Sequence, residues 1–300
     1  MSYPKVLIVS GLIVAACLVA LGQAGRRPVN SRERATTLNL VAVREDGSSA
    51  PITSKDIALY DDGIEQSIQN LLPDTGPARI VLLFDNSFSL RTDVPKLASV
   101  AREFAYEIYE GDQLLIAGFD ERAEQLSVDW TDKTKDVEEA VALLRKKGNP
   151  HLFDAINDVI EVALRPLTGS NRKRVIVLIA DGLDRGSNTK FKDLLHELQK
   201  SDITVYALQI QDRTGGAHRR DRPKPTQVVQ QLVEGTGGRI LPLDKPAESA
   251  KAICDELRKN RYLLSYAPTA MPYSEARRLL IVGNPGITLR YKSAQPPTQK

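Results

Sequence analysis

Five consecutive apolar residues, Ile80 to Phe84, run straight into Asp85. A run this short and this continuous reads as a strand covered on both faces, the setting of a central strand in a parallel sheet. A second such run, Arg174 to Ala180 (RVIVLIA), ends on Asp181-Gly182. Around these two, helical patterns over 94–109, 137–147, 152–164, 191–200, 227–233 and 246–259 alternate with strand patterns over 113–119, 123–128, 204–210 and 239–243. That alternation predicts an α/β fold, a doubly wound, Rossmann-like parallel sheet.

The flanks read differently. Residues 35–74 are β-rich, with Asp61-Asp62-Gly63 as a hairpin signal, and three further strand candidates cover 262–266, 278–282 and 287–291. Neither flank is large enough to bury a core of its own. They are expected to pack together as a small accessory β-domain built from the N- and C-terminal segments. The expected organisation is therefore a signal peptide or membrane anchor over 1–25, an N-terminal β segment over 35–74, the α/β domain over 78–260, a C-terminal β segment over 261–292 and a disordered tail over 293–300. Pro73 to Pro77 reads as the linker between the first β segment and the α/β domain.

At the N-terminus, Lys5 precedes the apolar stretch Val6 to Leu21, broken only by Ser10 and Gly11. This is brief for a transmembrane helix, which needs ~20 residues, and has the proportions of an export signal. Gly22-Gln23-Ala24 offers small residues for cleavage, while Val14-Ala15-Ala16-Cys17 resembles a lipidation site. Cleaved export, a lipid anchor on Cys17 and a single uncleaved span are the alternatives. All three put the body outside the cytoplasm, in the periplasm, in the cell envelope or secreted, with membrane contact only through the anchor. A net charge of +3 makes no case for nucleic acid, and two cysteines cannot build a disulfide framework. Cys254, on a helical pattern, reads as a small buried hydrophobe.

The chemistry gathers after the first apolar run, where Asp85, Ser87 and Ser89 form D-x-S-x-S. These are hard oxygen donors at the carboxyl end of a central strand, the edge at which open α/β sheets bind ligands. Oxygen-only ligation suits Mg²⁺ first, and Mn²⁺ or Ca²⁺ after it, rather than Zn²⁺ or copper. The two hydroxyls neutralise no charge, so a dication held there stays electrophilic towards an outside ligand. Asp181, after the second run, supplies a further carboxylate.

With these residues in view the chain resembles the von Willebrand factor type A domain and its metal-ion-dependent adhesion site. The DIALYDDG stretch at 56–63, LFDAI at 152–156, TGGR at 236–239 and RYLLSY at 261–266 are similar to an exported bacterial subfamily common in Acidobacteria. The likeness covers about residues 35 to 292. It implies that Asp85, Ser87, Ser89 and Asp181 hold a divalent cation that takes an exposed Asp or Glu of a protein partner as its last ligand. It implies a non-enzymatic, extracytoplasmic binding or adhesion module. One position departs: the family's threonine ligand falls on Pro150, which has no side-chain oxygen, leaving water, Asn149 or His151 to contribute. Asp184 is expected to shape the loop of Asp181, and Asp120 and Asp154 to serve their turn and helix. The departure keeps open a metal-independent scaffold with a degenerate site. A metal-dependent hydrolase would need His151 or Asp154 as its base. A basic stretch over 213–224, including Arg219, Arg220 and Arg222, is expected to rim the same edge and steer an acidic partner.

Overall fold

The structure, a computed structural model, describes residues 35–210, 224–269 and 275–297. The apolar leader, Cys17, and Arg219, Arg220 and Arg222 lie outside the described residues. Among the described residues no helix is long and apolar enough to cross a membrane.

The chain begins with β1 (Thr36–Arg44), β2 (Ile57–Asp61), β3 (Ile64–Gln66) and β4 (Ile68–Pro73). The β2–β3 turn places Asp62 at φ 49° and Gly63 at φ 80°, the paired positive dihedrals of a tight hairpin. The α/β portion follows: β5 (Ala78–Asp85), α1 (Val94–Glu107), β6 (Gln113–Phe119), β7 (Ala123–Gln125), α2 (Thr134–Val141), α3 (Leu152–Val159), β8 (Lys173–Ala180), α4 (Phe191–Lys200), β9 (Ile203–Gln209), α5 (Pro225–Thr236), β10 (Ile240–Pro242) and α6 (Pro246–Lys259). The sheet order is β10-β9-β8-β5-β6-β7, parallel throughout except at the β7 edge.

β5 is buried at every position, and the two layers explain its unbroken apolar sequence. Ile80, Leu82 and Phe84 pack with Leu97, Val100 and Phe104 of α1 and with Ile253 and Leu257 of α6. Val81 and Leu83 pack on the opposite face with Ile156 of α3, Leu198 of α4 and Leu232 of α5. Helices on both faces make the sheet doubly wound, as the alternation predicts. Cys254 lies in the first layer at 1% exposure, a free thiol used as core.

The chain closes with β11 (Arg261–Tyr266), β12 (Arg277–Gly283), β13 (Ile287–Tyr291) and β14 (Ala294–Gln295). β1 is inserted between β11 and β13, and β2 between β12 and β3, giving two four-stranded sheets in which both ends of the chain interleave. They share one core, with Leu38, Leu40, Leu59, Leu264 and Ile281 inside it. This sandwich is joined to the α/β portion through Glu256 of α6, which accepts from Tyr206 at 2.6 Å and pairs with Arg239 of the α/β portion and Arg290 of β13.

Two expectations need correction. The helix expected over 137–147 ends at Val141. Asn86 draws the following segment away: its Nδ2 donates to Arg145 O and its O accepts from Lys147 N, both at 2.9 Å. The tail expected to be disordered from 293 is held as far as it is described: Ser293 N donates to Gly235 O, and β14 pairs with Arg277 and Arg278. The segment over 73–77 that reads as the linker is anchored, because Asp74 is buried and meets Lys173 at 3.3 Å.

Candidate functional site

β5 and β8 are parallel neighbours with Phe84 opposite Ile179. Asp85, the last residue of β5, and Asp181, the first after β8, therefore emerge side by side at the carboxyl edge. Both are buried, at 1% and 4% exposure. Each carboxylate accepts from the amide two residues on, Asp85 Oδ1 from Ser87 N at 2.9 Å and Asp181 Oδ1 from Leu183 N at 2.8 Å. Ser87 Oγ lies 3.0 Å from Ser89 Oγ. The second oxygen of Asp85, Oδ2, is buried with no hydrogen-bond partner among the described residues. A buried acceptor without a donor is costly unless something positive reaches it.

Burial raises the Asp85 carboxyl to about 6. Hydrogen bonds from Ser87 pull it back, the nearby Asp181 pushes it further up and Lys146 lowers it. Negative charge is thus expensive here in the absence of a cation, and a hard cation is what this donor set would accommodate. Two carboxylates and two hydroxyls fit a small dication. Among the described residues no group of three or more His, Cys, Asp or Glu could hold a metal ion, so a cation at this edge would depend on the serines as well as the acids.

The surrounding loops fix the geometry. Phe88 N donates to Gly148 O at 3.2 Å, and Lys146 Nζ donates to Ser87 O at 3.3 Å and Leu90 O at 2.9 Å. Gly182 sits at φ +86°, and a Cβ there would lie 2.3 Å from Pro225 O and 2.7 Å from Val229 Cγ2. Only glycine lets α5 approach the Asp181 loop this closely. Asp184 accepts from Ser187 Oγ in the same loop, so it orders the segment after Asp181.

Asn149, Pro150 and His151 have separate places. Asn149 is exposed and Pro150 is buried. The Pro150 carbonyl accepts from Arg185 N at 2.7 Å. His151 lies against Gly186, whose added Cβ would be 2.7 Å from Nε2. It faces a neighbouring polar cleft of about 440 Å³, lined also by Glu121, Arg122, Asp154 and Asp158. Asp154 accepts from Asn188 N and Thr189 N at 2.9 and 2.8 Å. Burial raises its carboxyl, but those bonds outweigh it and leave the group below the ordinary carboxylate range. Asp154 thus ties the Asp181 loop to α3. Asp120 accepts from Arg122 N at 3.4 Å within its own turn.

Two residues at the edge escape a sequence reading. Lys146 falls within a helical pattern whose polar face reads as solvated. Phe88 is 73% exposed, and its signal was an aromatic residue at the fourth place of D-x-S-x-S.

A family profile described as the von Willebrand factor type A domain matches residues 80–231. No curated protein matches the chain. Among solved structures the chain is similar to an aerotolerance-related membrane protein from Bacteroides fragilis, at 18% identity over 61% of this chain and 99% of that one, with a TM-score of 0.48. It is similar to the conserved hypothetical protein BatB from Bacteroides thetaiotaomicron, at 18% identity over 60% and 97%, TM-score 0.45. A von Willebrand factor type A protein from Catenulispora acidiphila is 11% identical over 84% and 76%, TM-score 0.49.

Proposed function

Because the chain belongs to the von Willebrand factor type A family, a family of protein-interaction modules, we propose that it is a non-enzymatic, extracytoplasmic binding module with a divalent-cation adhesion site. Asp85, Ser87 and Ser89 would hold the ion, with Asp181 directly or through water, and Mg²⁺ is the first choice ahead of Mn²⁺ and Ca²⁺. The bound ion would supply an electrophilic position for an Asp or Glu of a protein partner. The chain's own part is to keep the oxygens converged and to exclude bulk water from Asp85. The observation that carries this reading is Asp85 Oδ2, buried and without a donor among the described residues, on the loop whose two hydroxyls lie 3.0 Å apart. Exposed Phe88 adds an apolar contact next to the acidic one, the aromatic type favoured at interface centres.

A second reading, a metal-independent scaffold, is favoured by Pro150 at the place of the family's threonine. Crosslinking of the chain in its native envelope separates the two. Partners captured in Mg²⁺, and lost both in chelator and in Asp85→Ala, support the adhesion site. Capture unchanged in all three conditions supports the scaffold.

A further inference from the structure

Lys146 approaches the D-x-S-x-S loop from the segment that follows α2. Its ammonium donates to the carbonyls of Ser87 and Leu90, so one cation ties the two ends of the turn that carries Ser89. The adjacent cations are directed elsewhere: Lys147 pairs with Glu124, and Arg145 donates to Ala142 O and Leu144 O. Burial lowers the Lys146 ammonium from its ordinary range, and the charges of Asp85 and Asp181, the two acids delivered by β5 and β8, act against that shift. A half-buried ammonium is therefore fixed against the backbone of the loop that runs from Asp85 to Leu90, under the charge of the two acids.

We propose that Lys146 is the resident counter-cation of this site: it holds the loop in its binding shape when no divalent ion is present, and by charge it weakens the binding of one. The inference rests on reading Asp85, Ser87, Ser89 and Asp181 as a divalent-cation site. Lys146 acts on a bound dication in two opposed ways. As a tie, Lys146 would favour metal binding by keeping the serines converged. As a charge, it repels a dication with twice the force felt by a monovalent ion, in surroundings less polar than water. Charge is expected to dominate, because the loop has independent ties in the Asn86 and Phe88 amides, which donate to Phe119 O and Gly148 O.

The test is calorimetric titration of MgCl₂ into the full chain, Lys146→Met, Lys146→Gln, Lys146→Arg, Asp85→Ala and the double variant Asp85→Ala/Lys146→Met. Both neutral variants are expected to bind Mg²⁺ about tenfold tighter or more, a change of about 1.4 kcal/mol. The arginine variant should stay near the original affinity, and the double variant should not bind. Hydrogen exchange supplies a second readout: without Mg²⁺ the amides of 86–90 should be protected in the original chain, less so in both neutral variants, and protected again when Mg²⁺ is added. Equal or weaker binding by the neutral variants, with the original chain's binding still lost in Asp85→Ala, would overturn the role of Lys146 and leave the metal site standing. No Mg²⁺ binding by the original chain or either neutral variant would overturn both.

Discussion

Asp85 ends β5, Asp181 directly follows the parallel neighbour β8, and the two are held alike, each by a backbone amide two residues ahead, at 2.9 and 2.8 Å. The doubled turn leaves two acids buried at one edge, with Lys146 the cation that lowers Asp85. Much of what the chain is expected to do follows from that imbalance.

The first consequence is a pH dependence. Burial raises the folded Asp85 carboxyl to about 6, above the roughly 3.9 of an unfolded aspartate. A raised folded value means a contribution fully present below about pH 4 and lost as pH rises through about 6. Metal-free stability should fall by the order of 2 kcal/mol across that window. Urea melts between these limits should show the slope, and Asp85→Asn should flatten it. Mg²⁺ affinity should rise through the same window, since ion and proton compete for one carboxylate.

Gly182→Ala should destabilise the fold by about 2–4 kcal/mol, combining left-handed strain with overpacking against Pro225 and Val229. Chemical denaturation measures the loss. The same variant should weaken Mg²⁺ binding, because relief requires the loop carrying Asp181 to move.

Asp74→Ala should cost about 3–5 kcal/mol, since it strips Lys173, whose side chain is 2% exposed, of a buried acidic partner. Replacing both, Asp74→Ala with Lys173→Met, should cost less than Asp74→Ala alone. Equal or greater loss in the double variant would mean that the pair is not what anchors this segment.

Phe88→Ala should leave stability within about 0.5 kcal/mol, as expected for so exposed a side chain. Mg²⁺ affinity should not change, whereas partner capture should fall about tenfold. Unchanged capture would remove Phe88 from the binding face.

What could be read from the sequence was whatever depends on burial alone. β5 and β8 are covered on both faces, so their apolar runs and the acids that end them stood out. The sandwich was legible only as strands needing partners, because its sheets interleave segments from both ends of the chain. The end of α2 was not legible: residues 142–147 keep an amphipathic pattern, and it is the side chain and carbonyl of Asn86, far off in sequence, that draw them from the helix. Lys146 was hidden for the same reason. On a helix it would have faced solvent, and only the released segment brings it to Ser87. The tail likewise depends on a two-residue pairing with β12 that no local pattern announces.

Thermal melting of the full chain during titration with Mg²⁺, Mn²⁺ and Ca²⁺, beside Asp85→Ala, tests most directly whether this edge is a divalent-cation site. A ligand that binds only the folded state raises its stability by mass action, about 2.7 kcal/mol at a hundredfold excess over Kd. The expected result is a saturable rise in the original chain that Asp85→Ala abolishes. No rise with any of the three ions, or the same rise in both proteins, would contradict it.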